Sequence, residues 1–465
     1  MKLYDTFDAQ LKTFVPVNPE CVSIYVCGAT PYDSPHVGHL LSMLRYDLLR
    51  RFLLFKGYNV KFVTNFTDID DKTINKGNLE GVDFSVIAKR YIPEYMRAFE
   101  KLRMHPDTKF ILATDFIDQI LAQTRILMQK GFAYTLEDGI YFEVSKFPDY
   151  GKLAKRDLES QLAGARVEVN TNKKAPEDFV LWKFAKQNEP AWKDSVKQIP
   201  DGRPGWHLEC SAMIYDQFLG ETIDIHGGGS DLIFPHHECE IAQSECAFDH
   251  KMVNHWLHNG LLNISGDKMS KSLGNFFDLQ TLLDNYAPSV IRYYFTSTHY
   301  RAPLNFSKEA LDAAKSSLET IQNTVDRINS HLVQEKFTTV EFDKAIIDSL
   351  ISEFTAFLDN DIDVSGALSK VFELSSIVNA KLDESSLSEK SILSILDFYQ
   401  KFDSIFAVLN LNPLVLDPEL KDMLEKRLKA RQARDFKQAD SLRRKIEKRG
   451  VKILDTKDGY DIKFN

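Results

Sequence analysis

Apolar residues recur along the first third of the chain at two different spacings. Ser23-Ile24-Tyr25-Val26-Cys27 is a short β-rich run that ends at Gly28. From Leu40 to Phe55 the apolar positions fall at Leu40, Leu44, Leu48, Phe52 and Phe55, along one face of a helix that Gly57 stops. Val60 to Phe66 then reads as a second strand. Strand, loop, helix and strand make a βαβ unit, and nucleotides bind beyond the carboxyl ends of such strands. Ile223-Asp224-Ile225-His226 resumes the strand pattern and runs into Gly227-Gly228-Gly229-Ser230-Asp231. The stretch between, roughly Asp115 to Gly202, mixes helical and strand signals and reads as an insertion. Between Pro303 and Pro413 there is no proline and one glycine, Gly366, which with recurring Leu, Ile and Phe predicts a helical bundle. The last segment is a basic helix pattern, Met423 to Arg449, followed by two short strand-like pieces.

The expected fold is α/β: a Rossmann-like parallel-sheet domain with an inserted subdomain, then an α-helical bundle and a small mixed α/β domain. The boundaries read 1–114 and 203–262 for the two halves of the sheet domain and 115–202 for the insertion. A loop region follows over 263–306, the bundle over 307–405 and the last domain over 406–465. Composition agrees with two to four soluble domains in 465 residues, at 43% hydrophobic and 27% charged. No run reaches the roughly 20 apolar residues of a membrane span, and no basic-then-apolar leader opens the chain. Five cysteines make no disulfide framework in so long a chain, which points to a reducing, cytoplasmic compartment. The net charge of −9 argues against indiscriminate coating of nucleic acid. One asymmetry stands against that average: Lys421 to Lys452 holds thirteen Lys or Arg against five Asp or Glu. Such a run is commonly a solvated helix face; Arg431, Arg434, Lys437, Arg443 and Arg444 are its candidates for RNA contact.

Two strings carry chemistry as a pair. Pro35-His36-Val37-Gly38-His39 offers two imidazoles around a glycine, which lets a polyphosphate approach the backbone. Lys268-Met269-Ser270-Lys271-Ser272 offers two lysines on a serine-bearing loop, suited to the charge of a departing pyrophosphate. Either alone is common on solvated surfaces. A metal is the second theme. Cys27 ends the first strand, Cys210 lies in Gly205-Trp206-His207-Leu208-Glu209-Cys210, and Pro235-His236-His237-Glu238-Cys239-Glu240 reads as the opening of a helix. His236 and Glu240 are four apart on one face and can share a metal with the two thiolates, with Cys239 competing with Glu240 for the fourth place.

The paired strings resemble the HIGH and KMSKS signatures of class I aminoacyl-tRNA synthetases. Cys27-Gly28, Thr67-Asp68-Ile69-Asp70-Asp71-Lys72, the Gly205–Met213 string, His226 through Glu240 and Lys268–Asn275 narrow the resemblance to cysteinyl-tRNA synthetases. That resemblance implies one zinc on Cys27, Cys210, His236 and Glu240. It implies ATP with Mg²⁺ near His36, Gly38, His39, Gly228, Asp231, Lys268, Met269, Ser270, Lys271 and Ser272. It places cysteine near Gly28, Thr67, Trp206 and His226, and an anticodon-binding end in the last domain. The partners implied are L-cysteine, ATP and tRNA(Cys); with no sign of an obligate dimer interface or a membrane segment in the sequence, a monomer away from membranes is expected. The expected reaction is adenylation of the cysteine carboxylate followed by transfer to the 2′-hydroxyl of the terminal adenosine, with His36, His39, Lys268 and Lys271 as catalytic residues. The chain departs from the family pattern at Leu40-Leu41, at Cys239 in place of asparagine, and at Asp359–Leu368, which lacks Asn-Thr-Pro.

Rival readings are a cysteine ligase of small-molecule thiol biosynthesis and a nonenzymatic RNA-binding paralogue. The long C-terminal region opposes the first, and the intact histidines and lysines oppose the second. Because a thiolate is a strong soft ligand and a serine hydroxyl is not, metal recognition makes a separate editing domain unnecessary. Challenge with serine is therefore expected to yield no abundant seryl-tRNA that the enzyme then hydrolyses; accumulation followed by clearance in a misacylation assay would contradict this.

Overall fold

Five hydrophobic runs pair as one parallel sheet in the computed structural model, which describes residues 1–155, 172–187, 189–264, 267–268, 279–384, 387–411, 416–456 and 459–464. The strands are β1 (Val22–Ala29), β2 (Val60–Phe66), β3 (Lys109–Leu112), β4 (Ile223–Gly229) and β5 (Val253–Asn259). They lie in the order β5-β4-β1-β2-β3, each parallel to its neighbour. The chain lays down β1, β2 and β3 in one direction and then returns to the other side of β1 with β4. Strand order therefore reverses between β1 and β4, and that reversal opens a crevice beyond their carboxyl ends.

Helix α1 (Val37–Phe55) leaves the loop after β1 and buries Leu40, Leu44, Leu48 and Phe52, the face the spacing predicted. Three consecutive residues of α1 also anchor it through polar groups. Arg45 Nη1 donates to the Tyr300 carbonyl at 2.7 Å, and Tyr46 donates its hydroxyl to the Leu257 carbonyl at 2.6 Å. Asp47 accepts from Arg51, from the His105 amide and from Arg292. Further along, α2 (Trp206–Gln217) and α3 (Glu238–Phe248) flank β4, and α4 (Pro288–Thr296) carries Arg292.

The region between the sheet halves holds a helix, Ile117–Gln129, and a four-stranded antiparallel sheet. Its last strand, Gly202–Pro204, straddles the boundary expected at 202/203. The described chain divides into two units, 1–308 with 359–362, and 309–358 with 363–465. In the second unit four long helices, Lys308–Val333, Lys344–Asp359, Val364–Glu384 and Glu389–Phe406, account for the proline-free stretch, the first and second reaching its edges. Among the described residues no helix is long and apolar enough to cross a membrane, and all five cysteines are free thiols.

Two local expectations are corrected. The basic run is not one helix but two, Pro418–Gln432 and Phe436–Lys448. Arg434 adopts a left-handed backbone, φ 61°, and the Asp435 side chain caps the second helix by accepting from the Gln438 amide at 3.0 Å. Pro235 also does not begin α3: Phe234 is extended, one wide turn carries Ile233–His237, and α3 starts at Glu238.

The Asp47–Arg292 pair is fully buried on both sides. Burial alone would raise the Asp47 carboxyl, but Arg292 and Arg51 outweigh it and hold it below its ordinary value. The stability it contributes is thus present above the ordinary carboxylate range and is lost as pH falls through the lowered value. Removing one partner strands the other, so Arg292→Met is expected to cost about 3–5 kcal/mol in urea unfolding; an unchanged midpoint would show the pair to be dispensable.

Candidate active site and metal centre

The switch point brings four distant residues to one place. Cys27 comes from the end of β1, Cys210 from α2, His236 from the turn before α3 and Glu240 from α3 itself. Cys27 Sγ lies 3.7 Å from Cys210 Sγ and 3.6 Å from Glu240 Oε1, and His236 Nε2 lies 2.9 Å from the same Oε1. Two sulfurs bound tetrahedrally to one zinc at about 2.3 Å stand about 3.8 Å apart, so this pair has the spacing such an ion requires. The ligand atoms all fall within 4.8 Å of one another. A second set, Cys27, His226, His237 and Glu240, shares two of these residues but has one thiol instead of two.

Further imidazoles orient this cluster. His226 Nε2 sits 2.8 Å from Glu240 Oε2, so each oxygen of that carboxylate faces a different ring. His207 Nδ1 is 3.0 Å from His236 Nδ1 and leaves Nε2 toward the thiols. His237 Nε2 is 3.3 Å from Cys27 Sγ, and its Nδ1 is 2.7 Å from His258 Nε2. Trp206 stacks on His236 at 4.4 Å. Burial would raise Glu240, yet His226 and His236 outweigh it and hold the carboxyl at about 2. Burial would likewise lower His236, and Glu240 reverses this to about 10. The cluster therefore already recruits positive charge. Cys239 does not compete for it: one residue round the helix from Glu240, its Sγ meets the Tyr150 hydroxyl at 3.3 Å and packs among residues of the insertion.

Beside the cluster lies a cavity of about 360 Å³. Its wall includes Cys27, Gly28, His36, Gly38, His39 and Asp231 together with Asn65. Gly228 is not on that wall; Gly229 is, while a side chain at 228 would meet His237 and Leu232 at 2.9 Å. Gly28 has no alternative, because a Cβ there would stand 1.6 Å from the Asn65 carbonyl oxygen. The rings of His36 and His39 stack at 3.5 Å. Burial, then Lys72, lowers His36 to about 4; burial, then His36, takes His39 well down, so both are neutral at pH 7. The Tyr95 hydroxyl lies 2.9 Å from His39 Nδ1, and donation there places the ring proton on Nε2.

Thr67 and Trp206 lie outside this wall. Thr67 is buried beside β1, its amide donating to the Ala29 carbonyl at 3.1 Å, and Trp206 lines a neighbouring cavity of about 420 Å³ with His207 and Tyr150. Lys268 ends a strand, Asp267–Lys268, paired with Asn263. Met269, Ser270, Lys271 and Ser272 lie outside the described residues.

Sequence reading missed His207, His237, His258 and Asn65. The available signal was positional: a histidine at the carboxyl end of β5, in register with Gly228 on β4, belongs at the crevice. It also missed Glu209, fully buried on α2. Burial first, then Cys210, Asp70 and Asp68, push its carboxyl well up, opposed by a hydrogen bond from Thr67. Of the basic candidates, Arg431 and Arg443 converge on Asp455, and Arg443 also pairs with Glu447. Arg434, Lys437 and Arg444 are exposed.

Residues 13–316 match the family described as tRNA synthetases class I (C) catalytic domain. The cysteine–tRNA ligase of Thermodesulfovibrio yellowstonii is 39% identical over 492 residues, covering 100% of both chains. That of Finegoldia magna is 42% identical over 465 residues, covering 99% of this chain and 98% of the other. Among solved structures, Mycobacterium tuberculosis methionyl-tRNA synthetase in complex with methionyl-adenylate aligns with a TM-score of 0.64 at 17% identity, over 83% of this chain and 92% of that one, a likeness of fold.

The spacing of the four ligands has a direct test. Metal analysis should find about one equivalent of a divalent ion per chain, reduced at least tenfold in Cys210→Ala; full occupancy in that variant would remove Cys210 from the ligand set.

Proposed function

The chain belongs to the cysteine–tRNA ligase family of class I aminoacyl-tRNA synthetases, and we propose that it joins L-cysteine to tRNA(Cys) with ATP through a cysteinyl-adenylate. The observation that carries this reading is the buried Cys27, Cys210, His236 and Glu240 cluster opening beside the imidazole-lined cavity. Zinc held by those four residues would supply a soft acceptor for the substrate's thiolate, which serine cannot provide.

The remaining chemistry belongs to side chains of this protein. An amino acid whose sulfur is held beside Cys27 has its carboxylate directed toward the cavity that Gly28, His36 and His39 line. The carboxylate is ionised at neutral pH and attacks the α-phosphate of Mg-ATP in line, so no general base is required. Neutral His36 and His39 can donate N–H groups to phosphate oxygens, while Gly28 and Gly38 let the nucleotide approach the backbone. Lys268 and Lys271 are assigned to the leaving pyrophosphate by their place in the signature string. Transfer to the terminal 2′-hydroxyl then releases AMP.

The second unit supports a macromolecular acceptor over a small thiol precursor. Its Arg434, Lys437 and Arg444 are exposed, and we assign them to tRNA before Arg431 and Arg443, whose charges meet Asp455. Five free cysteines suit action in the cytoplasm.

Lys271→Ala is expected to lower cysteine-dependent ATP–pyrophosphate exchange by at least about 100-fold, the scale of losing a transition-state charge contact; unchanged exchange refutes its role. Charge reversal at Arg434 and Lys437 together should raise the KM for tRNA about tenfold or more and leave exchange intact. Aminoacylation kinetics equal to those of the parent would remove this surface from the tRNA contact.

A further inference from the structure

Beyond Val26 the pairing of β1 with β2 loses step. Val26 stands opposite Thr64, and the next partners are Ala29 and Phe66. Three steps along β1 thus answer two along β2, so β1 carries one extra residue, a bulge that leaves Cys27, Gly28 and Asn65 out of this register. On its other side Asn65 keeps its place, opposite Ile111 of β3. The bulge begins at the thiol-bearing residue itself, and the wall of the cavity includes all three residues.

Asn65 fills the gap with its side chain. Its Oδ1 accepts the Gly28 amide at 2.9 Å, and its Nδ2 donates to Thr67 Oγ1 at 3.1 Å. The main chain of Asn65 closes the other side, because a Cβ on Gly28 would stand 1.6 Å from its carbonyl oxygen. Asn65 is 2% exposed, so both side-chain bonds are shielded from water. Past the bulge the two backbones meet again, the Thr67 amide donating to the Ala29 carbonyl at 3.1 Å.

A peptide unit is planar, and the Gly28 N–H shares its plane with the Cys27 carbonyl. Holding that N–H therefore fixes the backbone rotation on the carbonyl side of the Cys27 Cα, the atom that carries the thiol arm. The thiol has little latitude. Its sulfur stands 3.7 Å from Cys210 Sγ and 3.6 Å from Glu240 Oε1, and metal ligation tolerates errors of only about 0.2 Å. We propose that Asn65 is a positioning residue for metal binding: its side-chain amide takes the place of a ladder bond at Gly28 and so aims Cys27 at the four-residue cluster. This rests on Cys27, Cys210, His236 and Glu240 holding the ion.

The test withdraws zinc from the full-length enzyme by competition with a chromophoric chelator, in the parent, Asn65→Leu and Asn65→Asp. Leucine is close to asparagine in size but accepts no hydrogen bond, so the zinc Kd should rise about 10–100-fold, the range for losing a group that orients a metal ligand. Aspartate keeps an acceptor oxygen at the same reach and should stay within about threefold of the parent. After exchange into saturating cobalt(II), the sulfur-to-metal absorption of Asn65→Leu should fall towards that of one thiolate. A parent-like zinc Kd or a full two-thiolate band in Asn65→Leu would give Asn65 a structural role and overturn the inference, whatever happens to the urea midpoint. So would a loss in Asn65→Asp equal to that in Asn65→Leu. If Asn65→Leu does not fold, Asn65→Ser decides. Its hydroxyl stops one bond short of the Gly28 amide, so its zinc Kd should exceed that of Asn65→Asp about tenfold, and equal values would overturn the inference. A parent that binds no zinc overturns the ligand set and this inference together. A parent that binds zinc yet shows no cysteine-dependent exchange overturns the proposed reaction alone.

Discussion

An ionised carboxylate can be buried beside two thiols only if positive charge or hydrogen-bond donors reach the same point. Glu240, Cys27 and Cys210 meet that condition at the reversal in strand order, where His236 and His226 each face one oxygen of Glu240. The ligands come from a strand, two helices and a turn, so no local element can assemble them. What makes the spacing possible is the rigid frame beneath: β4 and β1 side by side, α2 and α3 packed over them, and α1 held by Arg45, Tyr46 and Asp47. The cluster and the frame are therefore coupled.

The same crevice separates two recognition tasks. Thiol ligands and their imidazole partners occupy its buried end, where low polarity strengthens charge contacts. The adjacent cavity is lined by glycines and by neutral histidines stacked on each other, features that admit a phosphate chain without building a fixed cation.

The basic terminal segment shows why a count of charges does not define a surface. Arg431 and Arg443 share Asp455, and Arg427 joins the same acid while almost fully buried. Part of the positive run therefore holds the small terminal domain together, around a core that includes Leu424, Ile446 and Ile453. The break at Arg434 and Asp435 starts a second helix, Phe436–Lys448, on which Lys437 and Arg444 are exposed beside the exposed Phe436.

Periodicity alone located β2 to the residue and the buried face of α1, because those runs follow a single local rule of alternation or helical spacing. The pairing of His236 with Glu240, four residues apart, was legible for the same reason. The division of the basic run was not, since it depends on one left-handed residue at Arg434 that composition does not mark. Nor was the exclusion of Cys239, a rotation of about 100° round α3 from Glu240, which matters only once the helix is docked. His207 and His237 escaped because their roles lie in what they face: another imidazole and a thiol. The sequence by itself determined helix and strand faces and put forward the candidate ligands, with Cys239 and Glu240 left as alternatives for one place. The tertiary structure decided which side chains meet, because contacts between residues some 200 positions apart depend on strand order and helix docking, which no local pattern encodes.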